Sequence, residues 1–559
     1  MKPQYDVVIL GGGLAGLTMS IQLKREKPDI SILILEKRPG EAPLAAFKVG
    51  ESTVELGSYY LRHVIGLKDY LEEHELPKLG LRFFFKSKTK EDITSRVELG
   101  ARGRLPTPSH QLDRGTLENH MMKVTQSMGT DVIMGAIVKD VDMAKDMHTV
   151  TYKLNGEEQK VTGKWVVDAA SRASLLKRKL GFQKPMDHAA NAVWWRLKGV
   201  VDIDTWSDDM EWRNKLAPKM RYLSTVHFMD SGYWLWVIPL GTGNTSIGIV
   251  ADPAIHPLDT FNSYEKALKW MSVNEPLAFE KLGAENDNLM DFMILKHYAH
   301  NSGRMYSAEE RWGVTGEAGA FLDPFYSPGT DLISLCNTLL SDLILRDLKE
   351  EDIDLRAKVY EQSFLSLIDN WIPIYQSKYP LMGTTQVMPI KICWDWAIYW
   401  AVTSLLFTNK SFTDINMLRK LFATENGAGV RFGKLSGIMQ NLFLEWQPYD
   451  TEVFGNKYLD PLELNFMREF QSGIEVKYEN PADLLAKVED NMRKLEEVAV
   501  AIFQKVSTQV KGTPPDMKVD AYKITLADGA DLGTENGITP EASIIEDVNM
   551  FWFYKEEYA

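Results

Sequence analysis

In the stretch Tyr5-Asp-Val-Val-Ile-Leu-Gly-Gly-Gly-Leu-Ala-Gly16 an apolar run leads directly into three regularly spaced glycines. The run is typical of a buried β-strand, and the apolar positions that follow it at helical spacing predict a helix. The glycines form the pattern Gly11-x-Gly13-x-x-Gly16, which is typical of a strand, turn and helix that bind a dinucleotide. We expect a doubly wound α/β domain to begin here.

Each glycine has its own role in this prediction. Gly11 permits the tight turn, Gly13 lets a pyrophosphate approach the backbone, and Gly16 lets the helix pack closely on the strand. The phosphates are expected at the helix N-terminus, near Leu14 and Ala15. A glycine turn that occurs by chance is the alternative, and the residues that follow argue against it.

A second predicted strand, residues 30–35, ends at Glu36, about twenty residues after Gly16. A carboxylate at this place accepts hydrogen bonds from ribose hydroxyls, and Lys37 beside it is a further candidate for cofactor binding. The carboxylate disfavours a 2′-phosphate, so the pattern predicts FAD or NAD.

Composition limits the function classes. The 559 residues carry a formal net charge of −14, which disfavours non-specific binding to nucleic acid or to anionic membranes. The two cysteines, Cys336 and Cys393, form neither a disulfide framework nor a zinc pattern, so we expect a reducing compartment and no metal site. The first strand begins too soon after Met1 for a cleavable leader, which predicts a cytoplasmic location.

One segment, residues 387–407, is apolar enough to suggest a membrane span. Lys391 and Asp395 interrupt it, and the uncharged remainder falls short of the roughly 20 residues that a span needs. We therefore interpret it as a buried or interfacial helix and expect no transmembrane segment.

Two polar sites in the first part of the chain are candidates for chemistry. The loop Lys48-Val-Gly50-Glu51-Ser52 can present amides and a hydroxyl to a flavin ring or a substrate, although a turn capped by Ser52 is the alternative. Lys78 lies on an apolar approach to a strand. A solvated lysine at a strand end is the ordinary interpretation, whereas a desolvated lysine has a lowered pKa that suits catalysis.

Further candidates lie at predicted strand ends and helix starts. Arg114 near a helix start is a candidate partner for phosphate or ribose, and Asp168 ends a buried strand. The short strands between residues 130 and 168 predict a small antiparallel sheet. Trp234 and Trp236 share one face of a strand, where they either form the wall of a pocket or pack against a neighbouring layer.

The segment 312–331 is predicted to return to the nucleotide domain. Acidic residues after its strand are placed to hold chain hydroxyls of a cofactor, and amides at the next helix start can bind an anion. A helix cap without a ligand is the alternative. The candidates in this segment are Glu317, Asp323, Pro324, Gly329 and Thr330.

Together these motifs resemble the flavin monooxygenase superfamily, which binds FAD. The residues that carry the resemblance are Gly11-x-Gly13-x-x-Gly16, Glu36, Asp113-Arg114, Asp168-Ala-Ala-Ser-Arg172 and Gly316-Glu-Ala-x-x-Phe-x-Asp323-Pro324. Within it, Trp234-Leu-Trp236-Val-Ile238-Pro239 is similar to the WxWxIP signature of flavin-dependent, tryptophan halogenase-like enzymes. Lys78-x-Gly80-x-x-Phe83 and the loop at residues 48–52 resemble the branch that acts on phenols and pyrroles.

The resemblance implies an α/β fold in three kinds of segment. A doubly wound, Rossmann-like FAD-binding domain is expected over residues 1–185 and 301–345. An antiparallel β-sheet substrate domain is inserted over residues 186–300, and a mainly helical region follows over residues 346–559.

The resemblance also implies a reaction. Reduced FAD, supplied by a separate NADH- or NADPH-dependent flavin reductase, would use oxygen and chloride or bromide to make hypohalous acid. Lys78 would direct this oxidant, by a hydrogen bond or as a haloamine, onto an electron-rich aromatic or similar small molecule, free or bound to a carrier protein. Trp234 and Trp236 would keep the substrate away from the flavin. The residues expected to close the substrate pocket are Trp394, Trp396, Tyr399 and Trp400.

Two departures from the family pattern leave alternatives open. The family's Asp-Ala-Ser-Gly-Arg stands here as Asp168-Ala-Ala-Ser-Arg172. The halide is expected at Ser327, Gly329 and Thr330, but Pro328 between them has no N–H to donate. A flavin-dependent monooxygenase or dehydrogenase without a halide site is therefore one alternative, and a non-catalytic flavoprotein scaffold is another.

Overall fold

The structure is a computed structural model that describes residue 2 and residues 4–45, 48–283 and 288–554. In chain order its strands are β1 (Gln4–Leu10), β2 (Ile32–Glu36), β3 (Leu76–Lys78), β4 (Leu81–Phe84), β5 (Glu98–Leu99), β6 (Ser109–Gln111), β7 (Asp131–Met134), β8 (Ile137–Asp142), β9 (His148–Leu154), β10 (Glu157–Asp168), β11 (Gln183–Pro185), β12 (Asn191–Lys198), β13 (Thr225–Asp230), β14 (Tyr233–Pro239), β15 (Asn244–Ala251), β16 (Leu289–Leu295), β17 (His300–Ser302), β18 (Tyr306–Ser307), β19 (Trp312–Val314) and β20 (Tyr458–Leu459).

The helices alternate with these strands in the first part of the chain and dominate the last part. They are α1 (Leu14–Glu26), α2 (Glu55–Tyr59), α3 (Lys68–His74), α4 (Arg114–Ser127), α5 (Leu175–Lys179), α6 (Met210–Asn214), α7 (Tyr264–Asn274), α8 (Pro276–Leu282), α9 (Gly329–Asp347), α10 (Asp354–Trp371), α11 (Val387–Ile398), α12 (Leu405–Thr408), α13 (Ile415–Phe422), α14 (Ala428–Trp446), α15 (Asn465–Gly473), α16 (Pro481–Lys511) and α17 (Ala542–Met550).

The first layer is a sheet, the nucleotide sheet, in which β1 is central. β1 pairs in parallel with β2 on one side and with β10 on the other. β7 continues the sheet beyond β2, and β19 continues it beyond β10, both in parallel. The chain thus leaves β1 toward one edge and later returns on the other side, and this reversal opens a crevice at the carboxyl ends of the strands. The predicted doubly wound domain is confirmed.

The strands between residues 131 and 168 differ in part from the expected antiparallel sheet. β7 pairs in parallel with β2 and is a strand of the nucleotide sheet. Only β8, β9 and the first half of β10 are antiparallel. The 12-residue β10 is long enough to serve both arrangements, because its second half continues between β1 and β19. Alternating hydrophobicity does not reveal the direction of a strand's partner, so the sequence could not separate the two cases.

The second layer, the pocket sheet, has the strand order β16-β12-β15-β14-β13-β4-β5-β20 and is mainly antiparallel. It confirms the expected antiparallel sheet, and it also recruits β4 and β5 from earlier in the chain and β20 from the helical region. The predicted domain boundaries stay a prediction. Along β14, the odd positions Tyr233, Leu235 and Val237 pack in the smaller core with α7 and α8, whereas Trp234 and Trp236 face the larger core.

The region after α9 is mainly helical, as expected, apart from the loops between α16 and α17. Every residue of α11 is buried, and Lys391 and Asp395 on it pair with each other at 2.5 Å. A π-helical segment, Tyr399–Ser404, continues α11 into α12. None of the helices in the described part of the chain combines the length and apolar character needed to cross a membrane. Cys336 and Cys393 are both buried free thiols.

Candidate active site

The crevice of the nucleotide sheet forms a cavity, the dinucleotide cavity. An added Cβ at Gly11, where φ is +109°, would lie 2.7 Å from the Ala169 carbonyl oxygen, and one at Gly16 would lie 2.1 Å from the Gly11 carbonyl oxygen. At Gly13 the nearest atom would be Lys48 Nζ at 3.6 Å. The fold therefore requires Gly11 and Gly16, whereas Gly13 leaves open space for a ligand. The predicted residues that line the cavity include Gly13, Leu14, Ala15, Lys48, Gly50, Glu51, Ser52 and Arg114.

The glycine loop is held from the end of β2. Glu36 is buried and accepts hydrogen bonds from the N–H of Gly12 at 2.6 Å and of Arg38 at 2.8 Å. α1 begins at Leu14 with no side-chain cap, so its first N–H groups are available to an anion. Glu36 thus lies against the glycine loop, and Lys37 beside it is exposed; neither lines the dinucleotide cavity.

Arg114 and Lys48 meet one buried carboxylate, Glu118, at this cavity. Arg114 donates to Glu118 Oε1 at 2.7 Å and to the Val49 carbonyl oxygen at 2.9 Å, while Lys48 bonds the second oxygen of Glu118. Burial raises the pKa of Glu118, but Arg114 and Lys48 outweigh it, so the net pKa is lowered. Arg114 Nε is buried and has no partner among the described residues. The group carries a net positive charge, which suits a pyrophosphate.

The loop at residues 48–52 is fastened to the pocket sheet by Arg196 of β12. Arg196 donates to Glu51 Oε1 at 2.6 Å and to the Lys48 carbonyl oxygen at 2.6 Å. Ser52 Oγ lies 2.9 Å from Thr225 Oγ1, so it bonds across to β13 rather than only capping a turn. Sequence reasoning missed Arg196, although one charged residue within an otherwise apolar strand was the available signal.

Asp168 and Glu317 hold the loop after β10 in place. Asp168 is fully buried and accepts hydrogen bonds from the N–H of Ala170 at 3.0 Å and of Leu176 at 2.8 Å. Glu317 lines the dinucleotide cavity and accepts a hydrogen bond from Ser171 Oγ. Ser171 has a φ of +53° at the position where the family pattern has glycine, so this departure keeps a left-handed backbone with a serine.

Asp323 is the centre of a buried network that the sequence did not reveal. Its Oδ2 atom accepts from Tyr379 at 2.6 Å and Tyr298 at 2.8 Å, and lies 2.7 Å from His188 Nε2. The indole N–H of Trp234 in turn donates to the Tyr379 hydroxyl at 3.2 Å. Burial raises the pKa values of both tyrosines well above the usual value. The neighbouring Pro324 lines the dinucleotide cavity with Asp323.

Trp234 and Trp236 form one wall of the dinucleotide cavity. Their ring centroids lie 5.5 Å apart, and Gly248 on β15 leaves room for the Trp236 indole, since an added Cβ there would lie 2.3 Å from it. Behind this wall, Phe325 lies 5.3 Å from Trp234 and 5.5 Å from Phe83, measured between ring centroids. The two tryptophans therefore both line a cavity and pack against a neighbouring aromatic layer.

A second cavity, the lysine cavity, contains Lys78, which is only 3% exposed. The alternative of a solvated lysine is therefore wrong. Lys78 Nζ donates to the Thr53 carbonyl oxygen at 2.6 Å. Burial lowers the pKa of Lys78 to about 7, although Glu55 and Asp331 oppose the shift. Burial raises the pKa of Asp331 to about 7.

The helical region contributes the aromatic wall of the lysine cavity. Trp396, Tyr399 and Trp400 line it, as expected. Trp394 does not line it, because α11 turns this side chain into the core, where its indole N–H has no partner among the described residues. Tyr399 donates to Asp331 Oδ2 at 2.7 Å, which connects this wall to the residues around Lys78.

Pro328 lines both cavities at the start of α9. Ser327, with a φ of +59°, Gly329 and Thr330 line the dinucleotide cavity, whereas Asp331 lines the lysine cavity. No side chain caps the N-terminus of α9. The predicted halide residues thus meet at one helix N-terminus between the cavities, and the proline removes one N–H from that group.

The comparisons with known proteins agree with this geometry. Residues 4–246 match the family described as FAD binding domain. A flavin-dependent halogenase of Dictyostelium discoideum is 26% identical over 71% of this chain and 70% of its own length. A Pseudomonas fluorescens chlorinase of 1H-pyrrole-2-carbonyl on a peptidyl-carrier protein is 25% identical over 66% of this chain and 82% of its own.

Solved structures share the fold. Halogenase PltM superposes with a TM-score of 0.62 at 15% identity, covering 88% of this chain and 96% of its own. A flavoprotein/dehydrogenase from Cytophaga hutchinsonii superposes with a TM-score of 0.54 at 19% identity, covering 78% and 92% of the two chains. The chain therefore contains an FAD-binding domain and is a flavin-dependent oxidoreductase related to the flavin-dependent halogenases.

Proposed function

We propose that this protein is an FAD-dependent halogenase in which Lys78 directs the halogen onto a small substrate. One observation carries the proposal: Pro328 and the first turn of α9 lie between the dinucleotide cavity and the cavity of the buried Lys78. This arrangement accommodates a cofactor that makes an oxidant on one side and a substrate that receives the oxidant on the other.

The residues of the dinucleotide cavity fit FAD. The open space at Gly13, the uncapped start of α1 and the unpartnered Nε of Arg114 suit the pyrophosphate. Glu36, proposed from the sequence to bind the ribose, holds the glycine loop from behind and does not line the cavity. Glu317 and Asp323 line the same cavity. Reduced FAD would be supplied by a separate NADH- or NADPH-dependent reductase. Together with oxygen and a halide, it would provide the hypohalous acid.

The halide is proposed at the N-terminus of α9, with Ser327, Gly329 and Thr330. Bromide or chloride is stabilised there by backbone N–H groups and by the helix dipole. Because Pro328 donates no hydrogen bond, the site is weaker than one with a full set of amides.

Lys78 is suited to receive hypohalous acid. With a pKa of about 7, it has both a protonated and a neutral population near neutral pH. The ammonium form donates a hydrogen bond to hypohalous acid. The neutral amine reacts with it to give a haloamine and water, and the haloamine transfers its halogen to an aromatic carbon in exchange for that carbon's proton.

The substrate is proposed to be an electron-rich aromatic or a similar small molecule. Relatives named as acting on 1H-pyrrole-2-carbonyl bound to a peptidyl-carrier protein make a carrier-bound substrate a second form to consider. Trp234 and Trp236 would keep either form away from the flavin. A cytoplasmic location stays a prediction.

The test is product mass spectrometry on a panel of aromatic substrates with FAD, a flavin reductase, NADH and bromide. A mass increase with the bromine isotope pattern, dependent on the protein, is the expected result. Hydroxylated products without halogen would overturn the proposal and favour a monooxygenase. The missing amide at Pro328 and the structural likeness to a flavoprotein/dehydrogenase are the reasons for this second candidate.

A further inference from the structure

The lysine cavity contains a second polar group that the proposed reaction does not use. Asp395 on α11 lines this cavity and is 4% exposed. Its Oδ2 atom accepts from Tyr326 at 2.8 Å and from Lys391 at 2.5 Å, and its Oδ1 atom accepts from Gln440 at 2.7 Å. A carboxylate offers about four acceptor positions, so these three donors leave one on Oδ1.

A buried ion pair in an apolar helix needs an explanation. Replacing such a pair by apolar side chains is often neutral or stabilising, so its presence here is weak evidence for a structural role. Lys391 is 1% exposed and does not line the cavity, whereas Asp395 does. The lysine thus pairs with the carboxylate from outside the cavity, and the carboxylate faces the ligand space.

Asp395 and the residues around Lys78 are connected through α11 and the π-helical segment. Asp395 and Tyr399 are four residues apart, and both line the lysine cavity. Tyr399 bonds Asp331, which lies with Lys78 in the same cavity. The two polar groups therefore share one cavity, and aromatic side chains line it with them.

The cavity is lined by buried and half-buried residues. None of the lining residues that the structure describes is exposed, including the polar Asn370 and Ser436 contributed by α10 and α14. Each polar group that a ligand buries among them must find a hydrogen-bond partner, because an unpaired buried polar group is costly.

We propose that Asp395 is a substrate-recognition residue that selects a free, compact aromatic diol. One hydroxyl donates to Asp395, and the second lies toward Lys78, Asp331 and Tyr399, so that the carbon beside it faces the lysine. The inference rests on the proposed function only in treating this cavity as the substrate site.

Binding tests the inference without turnover. Resorcinol and 2,7-dihydroxynaphthalene are titrated against their monomethyl ethers by quenching of tryptophan fluorescence, without flavin, reductase or halide. In one orientation of the ether, its methoxy group faces Asp395 and the hydrogen bond to the carboxylate is lost. In the other orientation, the methyl group clashes with the residues around Lys78. At least one diol should therefore bind roughly ten- to a hundredfold more tightly than its ether.

The variants identify the acceptor. The double variant Lys391→Met/Asp395→Leu replaces the ion pair by two apolar side chains of similar size, and Asp395→Asn is a milder second variant. In the double variant the preference for the diol should fall to about twofold or less. Asp450→Asn is the matched control, because Asp450 is a half-buried carboxylate that accepts from the N–H groups of Gln386 and Val387 at the start of the same helix but does not line the cavity.

The outcomes separate this inference from the proposed function. Equal binding of diols and ethers to the wild-type protein, or a preference unchanged in both Asp395 variants, would overturn the inference even if aromatic substrates are halogenated. A preference that depends on Asp395, together with products that contain no halogen, would support the inference and overturn the halogenase proposal.

Discussion

Lys78 Nζ donates a hydrogen bond to the carbonyl oxygen of Thr53 at 2.6 Å. Thr53 follows directly after the loop at residues 48–52, which borders the dinucleotide cavity. The lysine is therefore attached to the segment that connects the two cavities, and its position depends on the order of that loop.

The glycine loop gives the first prediction. Gly13→Val should abolish FAD binding, because the added side chain enters the open space of the dinucleotide cavity without meeting protein backbone. Gly40→Val is the control, since an added Cβ there meets no atom within 4 Å and lies outside the cavity. Titration of FAD fluorescence measures both, and unchanged affinity in Gly13→Val would place the cofactor elsewhere.

A pH-dependent stability follows from the buried lysine. Burial lowers the pKa of Lys78 from 10.5 to about 7, so over this window the unfolded chain binds more protons than the folded one. Stability therefore rises with pH between these values, and the cost of burying the lysine is fully present only below about pH 7.

Replacing the lysine should remove this dependence. Relative to the wild type, Lys78→Met should have a higher free energy of unfolding, and this increase should be roughly 2–3 kcal/mol larger at pH 6 than at pH 9. Urea denaturation at the two pH values measures it. Lys378, whose pKa burial lowers to about 8, is the control, and Lys378→Met should show the same direction with a smaller difference. An equal gain at both pH values would contradict the assigned pKa of Lys78.

Pro328 gives a prediction about the halide. One donor is missing from the N-terminus of α9, and a hydrogen bond to a charged partner is worth about 1.5–3 kcal/mol. Chloride is more tightly hydrated and harder to oxidise than bromide, so we expect brominated product to dominate at equal concentrations. Pro328→Thr should raise the chlorinated share roughly tenfold or more, because it restores the N–H.

The isotope patterns of the products measure this competition. Pro481→Thr is the control, because Pro481 also lies at a helix start but lines neither cavity. Exclusive chlorination by the wild-type protein would show that the proline does not weaken the site.

The Asp323 network predicts a stability effect. Tyr379→Phe removes a donor to Asp323 and leaves the indole N–H of Trp234 buried without its acceptor, which should cost about 1–3 kcal/mol of unfolding free energy. Tyr375→Phe, a buried tyrosine nearby that does not bond Asp323, should cost less. Urea denaturation compares the two, and equal costs would show that the network is not what stabilises this region.

Much of the fold was predictable because its signals are local. The strand, glycine turn and helix at residues 5–16 depend on neighbours in sequence, as does the placement of Trp234 and Trp236 on one face of β14. The burial of α11 was also predictable from its apolar run.

The contacts that complete the candidate site were not predictable in this way. His188, Tyr298 and Tyr379 reach Asp323 across 135, 25 and 56 residues of sequence, and Arg196 reaches Glu51 across 145. Such pairs have no periodicity, because the packing of the two sheets and the helical region brings them together. For the same reason, the sequence marked Lys391 and Asp395 only as interruptions of an apolar run.

The role proposed for Lys78 is to transfer the activated halogen to the substrate. The measurement is product mass spectrometry with FAD, a flavin reductase, NADH and bromide, accompanied by FAD titration and oxygen consumption, for the wild type, Lys78→Met and Lys378→Met. We expect all three proteins to bind FAD and consume oxygen, the wild type and Lys378→Met to brominate the substrate, and Lys78→Met not to brominate it. Wild-type levels of brominated product from Lys78→Met would contradict this role.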